Sequence, residues 1–198
     1  MAIPRNERLF DYFQNNGVAD AARRAKLAFA CLLTSVGVPM ILAGEEFADQ
    51  HDLFDRKGNV SEAGGKQIDP VKYSRLEEPW RSDMMKYVAR LIKLRTSSDA
   101  LAVNDTRFIH VDINERKRVV AWCRGRLDDE NVVVVVANFS DYCTKDAFNP
   151  ASEYRVHNWP ATPPGKRWRE ITQERDVPLE YAGREPIFPW EAKVYTLV

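Results

Sequence analysis

The chain has 198 residues, 44% of them apolar, enough for a buried core in one large domain or two small ones. Its 29 Lys and Arg are balanced by 29 Asp and Glu, so there is no basic excess to collect phosphates, and nucleic acid is excluded as a partner. Cys31, Cys123 and Cys143 are odd in number, widely separated and without CxxC spacing, which points to reduced thiols rather than a disulfide framework or a zinc knuckle.

The first residues, Met1 to Arg8, carry charge where a secretory leader needs an apolar centre. The longest apolar stretch, around Leu27 to Leu33, is too short to cross a bilayer. The expectation is a cytoplasmic protein with no membrane partner. From Ala21 to Thr34, apolar side chains cover most of a helix circumference, which predicts a largely buried helix. Ser35-Val36-Gly37 supplies a stop, and Val38 to Ala43 is a continuous apolar run of the kind found in strands buried on both faces.

A polar stretch from Gly44 to Gly65 is longer than a simple connection. Glu45 and Glu46 stand at its start, at the end of the predicted strand where barrel enzymes place active-site groups. The competing reading is that one or both acids face solvent or bind loop backbone. Side chains alternate along a strand, so at most one of the two is expected to enter a pocket. Asp49, His51, Asp52 and Asp55 follow as an acidic cluster. They lack EF-hand spacing, and solvated loop acids are the expectation rather than a metal site.

Glu78-Pro79-Trp80 announces a second helix, with Pro in its first turn, continuing through Met84, Val88, Leu91 and Arg95. Beyond about Asp105 the period changes to that of strands. Arg107–Ile113 and Arg118–Cys123 flank Asn114–Lys117 as a hairpin, Asn131–Ala137 is the strongest strand in the chain, and Ala192–Leu197 closes it. Seven prolines from Pro150 to Pro189 cut the rest into short pieces. His110 and His157 have no obvious partner residues and are expected to be structural or exposed. Of the rings in this half, Trp159, Trp168, Trp190, Tyr142, Tyr154 and Tyr181, most are expected in the core. Trp159, in its Pro-flanked loop, is the candidate for stacking on a sugar. There is no GxSxG elbow, phosphate loop, dinucleotide fingerprint or HExxH in the sequence.

The run Arg24-Ala-Lys-Leu-Ala-Phe-Ala-Cys-Leu-Leu-Thr-Ser-Val-Gly-Val-Pro-Met-Ile-Leu-Ala-Gly-Glu-Glu-Phe47 resembles the seventh helix and eighth strand of the α-amylase superfamily, glycoside hydrolase family thirteen. Lys66-Gln67 through Pro70-Val71 and Tyr87–Arg95 with Ala100-Leu101 resemble its eighth helix region. The Val-rich strand ending Ala-Asn-Phe139 and Trp168-Arg-Glu170 resemble its terminal all-β domain.

The resemblance implies an α+β chain: residues 1–103 as an incomplete eight-stranded barrel remnant (helix, strand, helix), then residues 104–198 as an antiparallel β-sandwich domain. Family members use three acids, on the fourth, fifth and seventh barrel strands. The first two have no counterpart here, and the positions matching the third are Pro4-Arg5. The expectation is therefore no catalytic residue, no metal and no cofactor, with Glu46 and Asp49 as substrate contacts. The chain reads as a non-catalytic C-terminal piece of a glucan-acting enzyme, made by truncation or splitting of a gene. The partners implied are an α-glucan or maltooligosaccharide, or a protein or second copy meeting the exposed barrel remnant. A glucan-binding β-module is the alternative.

Overall fold

The computed structural model describes residues 8–51, 70–126, 131–144 and 153–198. Asp52 and Asp55 of the acidic cluster, Lys66-Gln67 and Pro4-Arg5 lie outside them. The helices α1 (Leu9–Asn15), α2 (Ala21–Thr34), α3 (Pro79–Ser97) and α4 (Asp99–Ala102) precede the strands β1 (Thr106–Asp112), β2 (Val119–Arg124), β3 (Val133–Asn138), β4 (Trp168–Glu170), β5 (Arg175–Val177) and β6 (Ala192–Leu197). The strands form one antiparallel sheet in the order β1-β2-β3-β6-β4-β5. The fold class is α+β, a small helical part and a sandwich-like antiparallel domain.

The helical boundaries follow from the sequence. Pro79 opens α3 at its first position, where the missing N–H costs no hydrogen bond. The repeat of Met84, Val88 and Leu91 turns one face inward against α2. Leu27, Phe29 and Leu33 of α2 are buried in the same core, each contributing roughly 1.5–3 kcal/mol through removal from water.

β3 sits in the middle of the sheet, so its side chains are buried on both faces, which explains the unbroken valine run. Val133, Val135 and Ala137 point into the helix-facing core with Trp122 and Val194. Val134 and Val136 point into a second core with Trp168, Tyr195, Tyr154, Val156 and Ile187. The layer opposite the helices is thus built partly from irregular chain around 154–159 and 182–187 rather than from a second complete sheet.

Arg124, at the end of β2, is 1% exposed and fastens the two layers together. Its guanidinium donates to the Thr34 carbonyl at the end of α2, to Val103 O at 2.5 Å and to Asp105 O at 3.3 Å. These are carbonyls that no helical turn satisfies, and a cation is favoured there. Arg95 does the same from α3, donating to Ser35 O at 2.6 Å and to Gly37 O.

One element differs from expectation. The run Val38–Ala43 is not a strand, and it is not buried on both faces: Val38, Met40 and Leu42 are 96%, 88% and 58% exposed. A strand needs a neighbour to take its backbone hydrogen bonds, and none of the described strands lies beside it.

Candidate functional site

The extended run ends in a tight turn at Gly44, whose φ of 96° is a left-handed conformation costly to any other residue. A Cβ there would stand 2.8 Å from Nη1 of Arg8 and 2.8 Å from Cβ of Asp49. Glycine is therefore required both by the backbone and by space. The chain then coils through a single 3-10 turn, Glu45–Phe47, with Phe47 fully buried and Asp49 N–H closing back on the Gly44 carbonyl at 2.9 Å.

Because Glu45 and Glu46 lie on this 3-10 turn, the strand alternation expected for them does not apply. Glu45 Oε1 accepts the Leu9 N–H at the first position of α1, 3.0 Å away. Burial pushes its pKa up, against the opposing pull of that N–H and of Arg8. Glu46 Oε2 accepts the Gly44 N–H at 2.7 Å while the residue stays half-buried. Glu46 thus binds loop backbone, the alternative that the sequence left open, while Glu45 binds the first N–H of α1.

Asp49 has no exposure to solvent. Its carboxylate is 2.5 Å from Arg75 Nη1 and 3.5 Å from Arg8 Nη2, and accepts the Lys72 N–H at 3.3 Å. Arg8 also donates to Ala43 O at 2.5 Å. Arg81, 4% exposed, donates to the Ala48 carbonyl and to Gln50 Oε1 at 2.8 Å. Three arginines from separate parts of the chain thus hold the turn in shape. Sequence reasoning missed them, since nothing in the spacing of Arg8, Arg75 and Arg81 marks a common target.

Beside the turn, between α1, α2 and the extended run, lies a mostly apolar groove of about 340 Å³, with Leu9, Phe29, Leu32, Ile41 and Glu45 in its walls. Among the described residues, the backbone groups of Val38 to Ile41 make no hydrogen bond. An open apolar groove and an unpaired extended edge therefore adjoin each other.

In the β-half, Trp159 is half-buried. Its ring packs edge-on against Trp168 at 5.2 Å and Tyr195 at 5.1 Å, where loop proximity in sequence gave no sign of that contact. Trp190 is capped on one face by the Arg24 guanidinium, 3.3 Å from the ring centroid, and donates to Asp141 Oδ1 at 2.6 Å. His110 is buried, with Nε2 2.7 Å from the Tyr154 hydroxyl, which donates to Asp112 Oδ2 at 3.0 Å. His157 is exposed and stacks on His110 at 5.2 Å.

Burial raises the Cys31 thiol to about 11 and the Cys123 thiol to about 12, so neither is a nucleophile near neutral pH. Among the described residues, no group of three His, Cys, Asp or Glu side chains could hold a metal, and no helix is long and apolar enough to cross a membrane.

Helices cover one face of an antiparallel sheet, with an extended run and a Gly-Glu-Glu-Phe turn between α2 and α3, an arrangement that is amylase-like in fold. The crystal structure of a maltogenic amylase from S. marinus matches it with a TM-score of 0.55 at 13% sequence identity, over 96% of this chain and 20% of that one. The chain thus spans a fifth of the length of that protein. No protein-family model and no curated protein matches the sequence.

Proposed function

We propose that this chain is the C-terminal portion of an α-amylase or branching-type enzyme of α-glucan metabolism, and that it does not catalyse alone. Residues 1–103 correspond in this reading to the end of the barrel and residues 104–198 to the terminal β-domain. The observation that carries it is the likeness of nearly the whole chain to one fifth of a maltogenic amylase. Retaining glycoside hydrolysis needs two carboxyl groups facing across the scissile bond about 5 Å apart on a rigid scaffold. Glu45 and Glu46 instead each commit an oxygen to a backbone N–H, Glu45 to that of Leu9 at the start of α1 and Glu46 to that of Gly44 in the turn itself.

The glucan contact in this reading is Glu46, half-buried at the turn; Asp49, the other residue expected to touch substrate, has no exposed surface and fixes the turn's shape from beneath instead. The chain works in the cytoplasm, where its thiols stay reduced. Titration with maltoheptaose, followed by backbone amide shifts, tests the contact. Shifts at Gly44–Phe47 that vanish in Glu46→Gln support it, and no shifts at millimolar sugar contradict it.

A second reading is favoured by one specific observation, the exposure of Val38, Met40 and Leu42 along an unpaired backbone. The chain would then be an assembly piece whose extended run pairs with a barrel strand of another polypeptide. An apolar edge of this kind marks a partner or an aggregation site. Sedimentation of the purified chain as a monomer at every concentration would count against it.

A further inference from the structure

Between α2, α3 and the end of the sheet at β4 and β6 lies an open cleft of about 650 Å³ that shares no lining residue with the groove beside Gly44. Arg23 and Lys26 enter it from one face of α2, and Asp83, Lys86, Tyr87 and Arg90 from one face of α3, at the spacing that aligns side chains along a helix. Four cationic side chains and two acids, Asp83 and Glu191, line it, although the whole chain carries no net charge.

The cations are only partly compensated: Arg23 lies 3.5 Å from Asp20 Oδ1 at the exposed start of α2, and the other three are less well matched. Among the described residues, Lys86 has neither an ion-pair nor a hydrogen-bond partner, and it stands exposed at the rim. Arg90 reaches Glu174 at 3.1 Å through Nη1, but its Nε is buried with no acceptor. A buried donor without a partner carries a desolvation cost that a ligand oxygen would remove. Lys26 lies with Nζ 5.5 Å from the Tyr87 ring, and burial together with the nearby Arg90 lowers its pKa against the pull of Asp83. An arriving anion relieves that repulsion.

We propose that this cleft binds a small phosphate monoester, with the dianionic group taken by Lys26, Lys86 and Arg90 and the organic part lying against Phe188. A dianion matches the two lysines and the unpartnered Arg90 Nε left over once Arg23 has paired with Asp20 and Arg90 Nη1 with Glu174, charge-assisted donors are the strongest hydrogen bonds available to it, and the cleft has room for a sugar-sized body beyond the phosphate. This goes beyond the glucan reading and stands or falls separately from it.

Calorimetric titration of the whole chain at constant ionic strength, with glucose 6-phosphate, inorganic phosphate and glucose as probes, tests it. Glucose 6-phosphate is expected to bind more tightly than inorganic phosphate, and glucose not at all at millimolar concentration. Lys86→Gln is expected to weaken glucose 6-phosphate about tenfold, and the double variant Arg23→Gln with Lys86→Gln further still. Both residues are exposed, so the unfolding midpoint without ligand should not move. No phosphate binding by the natural chain, glucose binding as tightly as its phosphate, or an affinity unchanged in the double variant would overturn the proposal.

Discussion

Oδ1 of Asp49 lies 2.5 Å from Nη1 of Arg75, with the carboxylate fully buried and the guanidinium 17% exposed. The second arginine on Asp49, Arg8, is buried to 3% exposure. Removing the acid leaves two cations facing each other with little access to water. Asp49→Ala is therefore expected to destabilise the chain by about 3–5 kcal/mol in urea unfolding, the usual loss when one partner of a buried pair is deleted. Asp49→Asn, which keeps acceptors, is expected to cost less, about 1–3 kcal/mol. A change below about 0.5 kcal/mol for the alanine variant would mean that the turn is held by other contacts.

The hairpin joining β1 to β2 turns through Glu115 at φ 50° and Arg116 at φ 67°, with the Lys117 N–H on Asn114 O at 2.8 Å. Two successive left-handed residues are the geometry of a tight hairpin turn that glycine occupies without strain. Arg116→Gly should raise stability by about 0.5–1 kcal/mol, since relief of strain exceeds the added freedom of the unfolded chain. Differential scanning calorimetry checks the sign, and a lowered midpoint contradicts the strain argument.

His110 predicts a pH dependence. Nδ1 accepts the His157 N–H at 3.3 Å, which leaves Nε2–H to donate to Tyr154. A proton added at Nδ1 would set a donor against a donor. Burial first, then His157 and Lys117, hold the imidazole below its ordinary 6.5, with Asp112 pulling the other way. Below that ordinary value the unfolded chain binds the proton more readily than the folded one, so this group's contribution is intact above about pH 6.5 and is lost as pH falls towards the folded pKa. Unfolding free energies measured across pH 5–7 should fall towards acid, and His110→Gln should flatten that slope. An equal slope in the variant assigns it to other groups.

Met40, 88% exposed, touches solvent rather than core. Met40→Lys should leave unfolding within about 0.5 kcal/mol of the natural chain. In sedimentation velocity it should reduce any association seen, because the charge falls in the centre of the unpaired apolar edge. A large loss of stability would mean that the run is packed in solution.

Much of the architecture was legible because local pattern and final packing agree. Pro79, the apolar repeat of α3 and the alternating hairpin strands all appear where their periods place them. The two continuous apolar runs are the instructive pair. Val132–Ala137 is paired by β2 and β6 along its edges and covered by the helices on one face and by a second core on the other, whereas Val38–Ala43 carries the same signal and lies open. Periodicity reports what a segment would do beside neighbours and cannot say whether they are present. At the candidate site, Gly44 and the two glutamates were readable as following an apolar run, but they were expected to alternate as on a strand and instead lie on a 3-10 turn. The Leu9 amide that binds Glu45, 36 positions away, and the arginines that hold Asp49, of which Arg8 is still more distant in sequence, depend on tertiary contacts that no local pattern shows. The ring contacts of Trp159 were illegible for the same reason, since its partners Trp168 and Tyr195 come from β4 and β6.

The proposed function joins an amylase-like fold to the absence of glucan cleavage by the chain alone. Reducing-sugar release and chain transfer from soluble starch and maltooligosaccharides, measured on the purified chain beside Glu46→Gln, address it most directly. The account predicts no turnover above buffer for either protein. Turnover by the natural chain that the substitution abolishes would contradict it and make the Gly44 turn part of a working active site.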